Sequence, residues 1–134
     1  MPQSLQDIEG RLELLKMTLG MFAPEEPVPI AAELVQLGEE IFENWLLAVG
    51  EAPAEAGGEE LRLLALQAQC AAKEPGFAAC RAACLELIDQ SNLVMAEPEH
   101  AATMERLLVA VAADFHLYSF VTSRLAAPGP PGGR

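Results

Sequence analysis

Positive charge is scarce in this sequence: eight Lys and Arg stand against twenty Asp and Glu, a formal net charge of −12. From Glu25 to Glu60 there are ten glutamates and no basic residue at all. Nucleic-acid binding runs on Lys and Arg displacing counterions from phosphates, and a field of the opposite sign repels phosphate and anionic lipid headgroups alike. The chain is therefore expected to bind no nucleic acid and no membrane. A protein partner with a basic surface is what such a field attracts. The plainer reading of the glutamate run is a solvated face that keeps the chain soluble.

Aromatic residues are also few, at 5% of a chain that is 51% hydrophobic. The core must then be built from Leu, Ala, Val and Ile, and Leu and Ala favour helices over strands. No apolar run reaches membrane-spanning length, and Met1-Pro2-Gln3-Ser4 has neither the basic segment nor the apolar core of a signal peptide, so a cytoplasmic location is expected. The cysteines number three, an odd count without framework spacing, which reads as free thiols in a reducing compartment. Phosphate-binding glycine loops, nucleophile elbows, His-Glu-x-x-His zinc helices and EF-hand loops are all missing, so nothing specific points to an enzyme.

What is present is helical periodicity. Ser4 has the character of an N-cap for a first helix over Leu5 to Met21, with Leu5, Ile8, Leu12, Leu15 and Leu19 recurring every three or four residues. Pro24, Pro27 and Pro29 interrupt it, and a second helix follows from about Pro29 with Ile30, Leu34, Leu37, Ile41 and Trp45 on one stripe, flanked by Phe42, Leu46 and Val49, and ending at Gly50. The segment from Gly50 to Gly58 reads as an exposed linker. A third helix is expected from about Glu59 to Lys73 on Leu61, Leu64 and Ala68, and Glu74-Pro75-Gly76 breaks it. A fourth, from about Phe77 to Met95, carries Phe77, Cys80, Cys84, Leu87, Ser91 and Val94, and should pair with the third as an antiparallel hairpin. The fifth, from Pro98 to Leu125, places Met104, Leu108, Val111, Phe115, Tyr118, Thr122 and Leu125 in line and is apolar on nearly every side.

The expected architecture is all-α: one domain over residues 1–126, a mostly antiparallel bundle of four or five helices with a long apolar C-terminal helix, and a disordered Pro/Gly tail over 127–134. The fifth helix is either the centre of the bundle or the seam of a homodimer, and Leu107, Val111, Phe115, Tyr118 and Val121 are its candidate interaction surface.

Three small constellations invite a chemical reading. Cys80 and Cys84 share a helix face, and folding at Pro75 would bring Cys70 towards Cys80. Three converging thiolates suit Cu(I) or, with a further ligand, Zn(II), while in an alanine-rich hairpin the same cysteines act as small core residues. Glu97 and His100 have the Glu-x-x-His spacing of carboxylate di-iron bundles, but the motif occurs once where two copies are required. Asp114 and His116 lie in the apolar run of the fifth helix, where an unpaired carboxylate is expensive and Tyr118, Arg81 or Arg106 are candidate partners. The leading functional expectation is a non-enzymatic acidic helical interaction module, an adaptor, assembly factor or small chaperone, without a cofactor. The alternative is a soft-metal-binding bundle using Cys70, Cys80 and Cys84, with copper or zinc.

Overall fold

The computed structural model describes residues 1–55 and 61–126. Among these residues there are five α-helices, a short 3₁₀ turn and no strand. The helices are α1 (Leu5–Met21), α2 (Pro27–Ala48), α3 (Arg62–Lys73), α4 (Arg81–Ala96) and α5 (Thr103–Ala126), with the 3₁₀ turn Pro75–Cys80 between α3 and α4. The expected tail over 127–134 lies outside the described residues.

Local chemistry explains most of the boundaries. The Ser4 hydroxyl accepts a hydrogen bond from the Asp7 amide at 3.1 Å, capping α1. Pro27 and Pro29 occupy the first turn of α2, where a missing amide hydrogen is harmless. Beyond Ala48 the chain turns at Gly50 with φ of +80°, a conformation that costs glycine little. The fifth helix starts at Thr103 rather than at Pro98. His100 accepts the Ala102 amide on Nδ1 at 2.9 Å and Thr103 donates its hydroxyl to the Pro98 carbonyl at 3.1 Å, so the intervening residues are held as turns. The Glu97 and His100 pair thus shapes the entry to α5.

A single apolar cluster draws residues from every helix. α5 packs against α4, α2 and α1, so it lies inside the assembly rather than along an edge. Its core stripe is Leu107, Ala110, Asp114, Leu117 and Val121, not the series from Met104 to Leu125 expected from the sequence. Of that series only Val111 is fully buried. The helix is apolar on two adjoining faces, and the smaller residues take the inner one because they permit close approach. α3 shows the same ambiguity: Leu63, Leu66, Gln67 and Cys70 face inward, while Leu61 and Ala68 are exposed. The α4 stripe is buried as anticipated from Phe77 to Val94, and α2 buries Leu34, Leu37, Ile41, Phe42, Trp45 and Leu46.

Phe77, in the 3₁₀ turn, is the hub of the aromatic residues. Its ring centroid lies 4.5 Å from Trp45, 4.9 Å from Phe120 and 6.2 Å from Phe42, tying the α3–α4 connection to α2 and α5. Gln67 donates to the Phe77 carbonyl at 3.0 Å and holds the turn from beneath. Phe77→Ala is expected to cost about 3–5 kcal/mol in urea denaturation and to shift the emission of Trp45, which is 5% exposed, to longer wavelength.

Candidate functional site

Ala32, Val35, Gln36, Glu39 and Glu43 recur at three- and four-residue spacings on α2 and so share one face. That face forms one wall of a trough. The start of α3 (Leu61, Arg62, Leu63) and the later turns of α4 (Ile88, Ser91, Asn92, Met95) complete an apolar end of about 310 Å³. The trough continues past Glu39 and Arg62 into a polar end of about 450 Å³, bounded by Met1, Pro2, Gln36, Glu40 and Glu43. Leu61 and Met95 are 51% and 40% exposed, unusual for side chains that border an apolar depression.

Charge at the polar end is unbalanced. Arg62 is the one cationic side chain in its lining; it reaches Glu43 at 2.7 Å and Glu39 at 3.4 Å and donates Nε–H to the Ala54 carbonyl. Its hydrogen bond to Glu43 raises the guanidinium pKa, against the opposing effect of burial. Burial raises the pKa of Glu39 although Arg62 pulls the other way, so this carboxylate is incompletely compensated. Glu40 is held by uncharged donors: the Gln3 amide at 3.0 Å, the Gln3 side chain at 3.2 Å and Gln36 at 3.0 Å. Glu39 and Glu43 thus share one guanidinium while Glu40 relies on uncharged donors, so a basic group arriving from outside would meet an edge with surplus carboxylate charge.

Beneath the trough lies a carboxyl without a partner. Asp114 is fully buried and neither of its oxygens has a hydrogen bond among the described residues. It sits against Gly38 of α2: a Cβ there would stand 2.9 Å from Asp114 Oδ1, 3.0 Å from Leu87 and 3.3 Å from Leu63. Burial alone lifts its pKa far above the usual carboxylate range, so the group is a neutral acid in the closed bundle. The anticipated partners do not reach it. Arg106 lies 3.5 Å from Glu97, Tyr118 has Glu9 beside it, and Arg81 is exposed.

Cys70, Cys80 and Cys84 are all buried free thiols. Burial is the first cause of their raised pKa values, about 12, about 11 and about 12, and Cys84 also senses Cys80, Asp114 and Cys70. Among the described residues no group of three or more His, Cys, Asp or Glu side chains is arranged to hold a metal ion.

The structure divides the five residues expected as an interaction surface between the core and the side where α1 packs. Leu107, Val111 and Val121 are sealed in the core, and Phe115 and Tyr118 are half-buried on the side where α1 packs, with Lys16 Nζ 5.7 Å from the Phe115 ring centroid. Of the trough residues, Glu39 and Glu43 belong to the glutamate run expected to attract a basic partner, whereas Val35, Arg62 and Met95 carry no such signal in the sequence. Glu39 and Glu43 already stand one turn apart on the side of α2 away from Leu34 and Ile41, a signal visible in the sequence. Their association with Arg62 and Met95 depends on packing. No helix among the described residues is long and apolar enough to cross a membrane. Compared with known proteins, the chain matches no family model, no curated protein and no solved structure.

Two measurements probe the buried carboxyl. Gly38→Ala is expected to destabilise the protein by about 1–3 kcal/mol in denaturant titration, since the new methyl would displace Asp114 or Leu87. The acid binds its proton more tightly folded than unfolded, so its contribution to stability is complete below about pH 4 and is lost as pH rises towards the raised folded value. Denaturation midpoints of the wild-type protein should therefore fall with rising pH more steeply than those of Asp114→Asn.

Proposed function

We propose that this protein is a non-enzymatic interaction module whose trough between α2, α3 and α4 receives an amphipathic segment of a protein partner, with apolar side chains in the Val35–Met95 end and a Lys or Arg at Glu39, Glu40 and Glu43. The observation that carries this reading is the joining of an apolar depression to an edge where Glu39 and Glu43 share one guanidinium and Glu40 has only uncharged donors. Helix-in-groove recognition uses apolar anchors in this way, with charge setting orientation and encounter rate. A net charge of −12 favours a basic partner over a second copy of this chain. Soft-metal binding by Cys70, Cys80 and Cys84 is the weaker reading, because it requires thiolates and these thiols are buried and held protonated.

The experiment is sedimentation of fluorescently labelled protein in extract of the source cells over a dilution series. The wild type should move as a larger species that dissociates on dilution, and Val35→Asp and Met95→Asp should move as free protein. Leu125→Asp, at the exposed end of α5, should behave as wild type. Replacing Glu39 and Glu43 by Gln should weaken the complex by about tenfold or more, with a shallower salt dependence. A wild-type protein that stays monomeric throughout, or trough variants that associate unchanged, would remove the basis for this function.

A further inference from the structure

The Asp114 carboxyl and the trough are separated by one side chain. Leu63 lines the apolar end of the trough, and its Cδ1 stands 3.3 Å from the position a Cβ would take at Gly38, where Asp114 Oδ1 stands at 2.9 Å. Leu87 of α4 closes the same notch at 3.0 Å. Four helices therefore meet around a carboxyl that is fully buried and has no hydrogen-bond partner among the described residues. We propose that the Asp114–Gly38 contact is a proton-operated catch on the trough: loss of the carboxyl proton expels Asp114 from its notch, loosens the α2–α5 crossing and frees Leu63 to move. What such opening would serve rests on the trough being the docking site; the opening itself does not.

Among the described residues no hydrogen-bond donor reaches Asp114 to hold it in place when ionised. On α4 the facing titratable group is Cys84, whose thiol the carboxylate would push further from ionisation, and Arg81 acts on Cys84 from the exposed surface. On α2 the neighbours of Gly38 are Glu39 and Glu40, engaged with Arg62 and with Gln3 and Gln36. On α3 Arg62 is turned to Glu39 and Glu43, and α1 brings Glu9 beside Tyr118. Apart from Arg81, which stays at the exposed surface, the charges named here are negative or already paired. An anion at Gly38 must reach water to be solvated, and the route out is separation of the helices. Opening lets the carboxyl release its proton at the ordinary value near pH 4, so the open population should grow by up to about tenfold per pH unit above that point, until the raised value of the closed state is reached.

The buried cysteines supply the readout. Alkylation of Cys84, followed by mass spectrometry and divided by the rate for the same thiol in the urea-unfolded chain at the same pH, reports opening without the thiol's own ionisation. Backbone amide exchange in α3, corrected for intrinsic rates, reports release of Leu63. Between about pH 5.5 and about pH 7.5 the wild-type protein should lose Cys84 protection by at least about tenfold, with α3 amides following. Asp114→Asn keeps the shape and removes the ionisation, and its protection should be flat with pH; Asp114→Leu serves the same purpose should the amide prevent folding. Flat protection in the wild type, or an equal slope in the Asn and Leu variants, would overturn the catch, and α3 amides that ignore pH while Cys84 responds would overturn its connection to the trough. No partner is present in these measurements, so a failure of the docking reading leaves their outcome unaffected.

Discussion

At Gly38 the α2 backbone carries no Cβ, and the space a side chain would fill is taken by Asp114 of α5, Leu87 of α4 and Leu63 of α3. Interiors are packed to crystal-like density, so atoms this close leave no slack for a methyl group. This one crossing brings four of the five helices to a point. It sets how deeply α5 enters the bundle, which in turn lets α1 close over its other side. It also fixes the separation of α2, α3 and α4 and hence the width of the trough. The residue at the crossing is a carboxylic acid where a hydrocarbon would pack without cost, so this close approach of helices is also a polar point in the interior.

Around that core the few cations are placed as ties between segments distant in sequence. Arg11 bonds Glu33 at 2.6 Å and joins α1 to α2, while Lys73 reaches Glu51 at 3.0 Å. Arg124 reaches Glu74 at 2.7 Å while lying 4.3 Å over the Phe120 ring, which fastens the end of α5 to the turn holding Phe77. The Gly76 amide and then Arg124 hold Glu74 below the usual carboxylate range. Such half-exposed pairs contribute little stability individually, but they leave the glutamates of the trough competing for Arg62. The acidic surplus is therefore a local property of one edge as well as a property of the whole composition.

The thiols illustrate how one residue type supports two readings until packing decides its surroundings. Cys80 and Cys84 continue the inward stripe of Phe77, Leu87, Ser91 and Val94, and Cys70 continues that of Leu63 and Leu66. Small, weakly polar and fully enclosed, they allow α3, the 3₁₀ turn and α4 to approach as alanines would, with somewhat more contact area. The same enclosure holds their protons and makes them slow reporters of any opening of the bundle.

The sequence by itself determined the all-helical class, a count of four or five helices, the residues that cap or break them and the inward stripes of α1, α2 and α4. These follow from nearest-neighbour chemistry and a 3.6-residue period, both of which act within a few turns of chain. Where two phases were both apolar, as in α3 and α5, periodicity could not choose between them. The choice fell to close approach at Gly38, which turned Asp114, Leu107 and Leu117 inward and left Leu108 and Phe115 to α1. The trough was likewise decided by tertiary structure, because Val35, Arg62 and Met95 belong to three helices and become neighbours only when those helices pack. A periodic pattern records which side of each helix avoids water, and it carries no information about which other helix will cover that side.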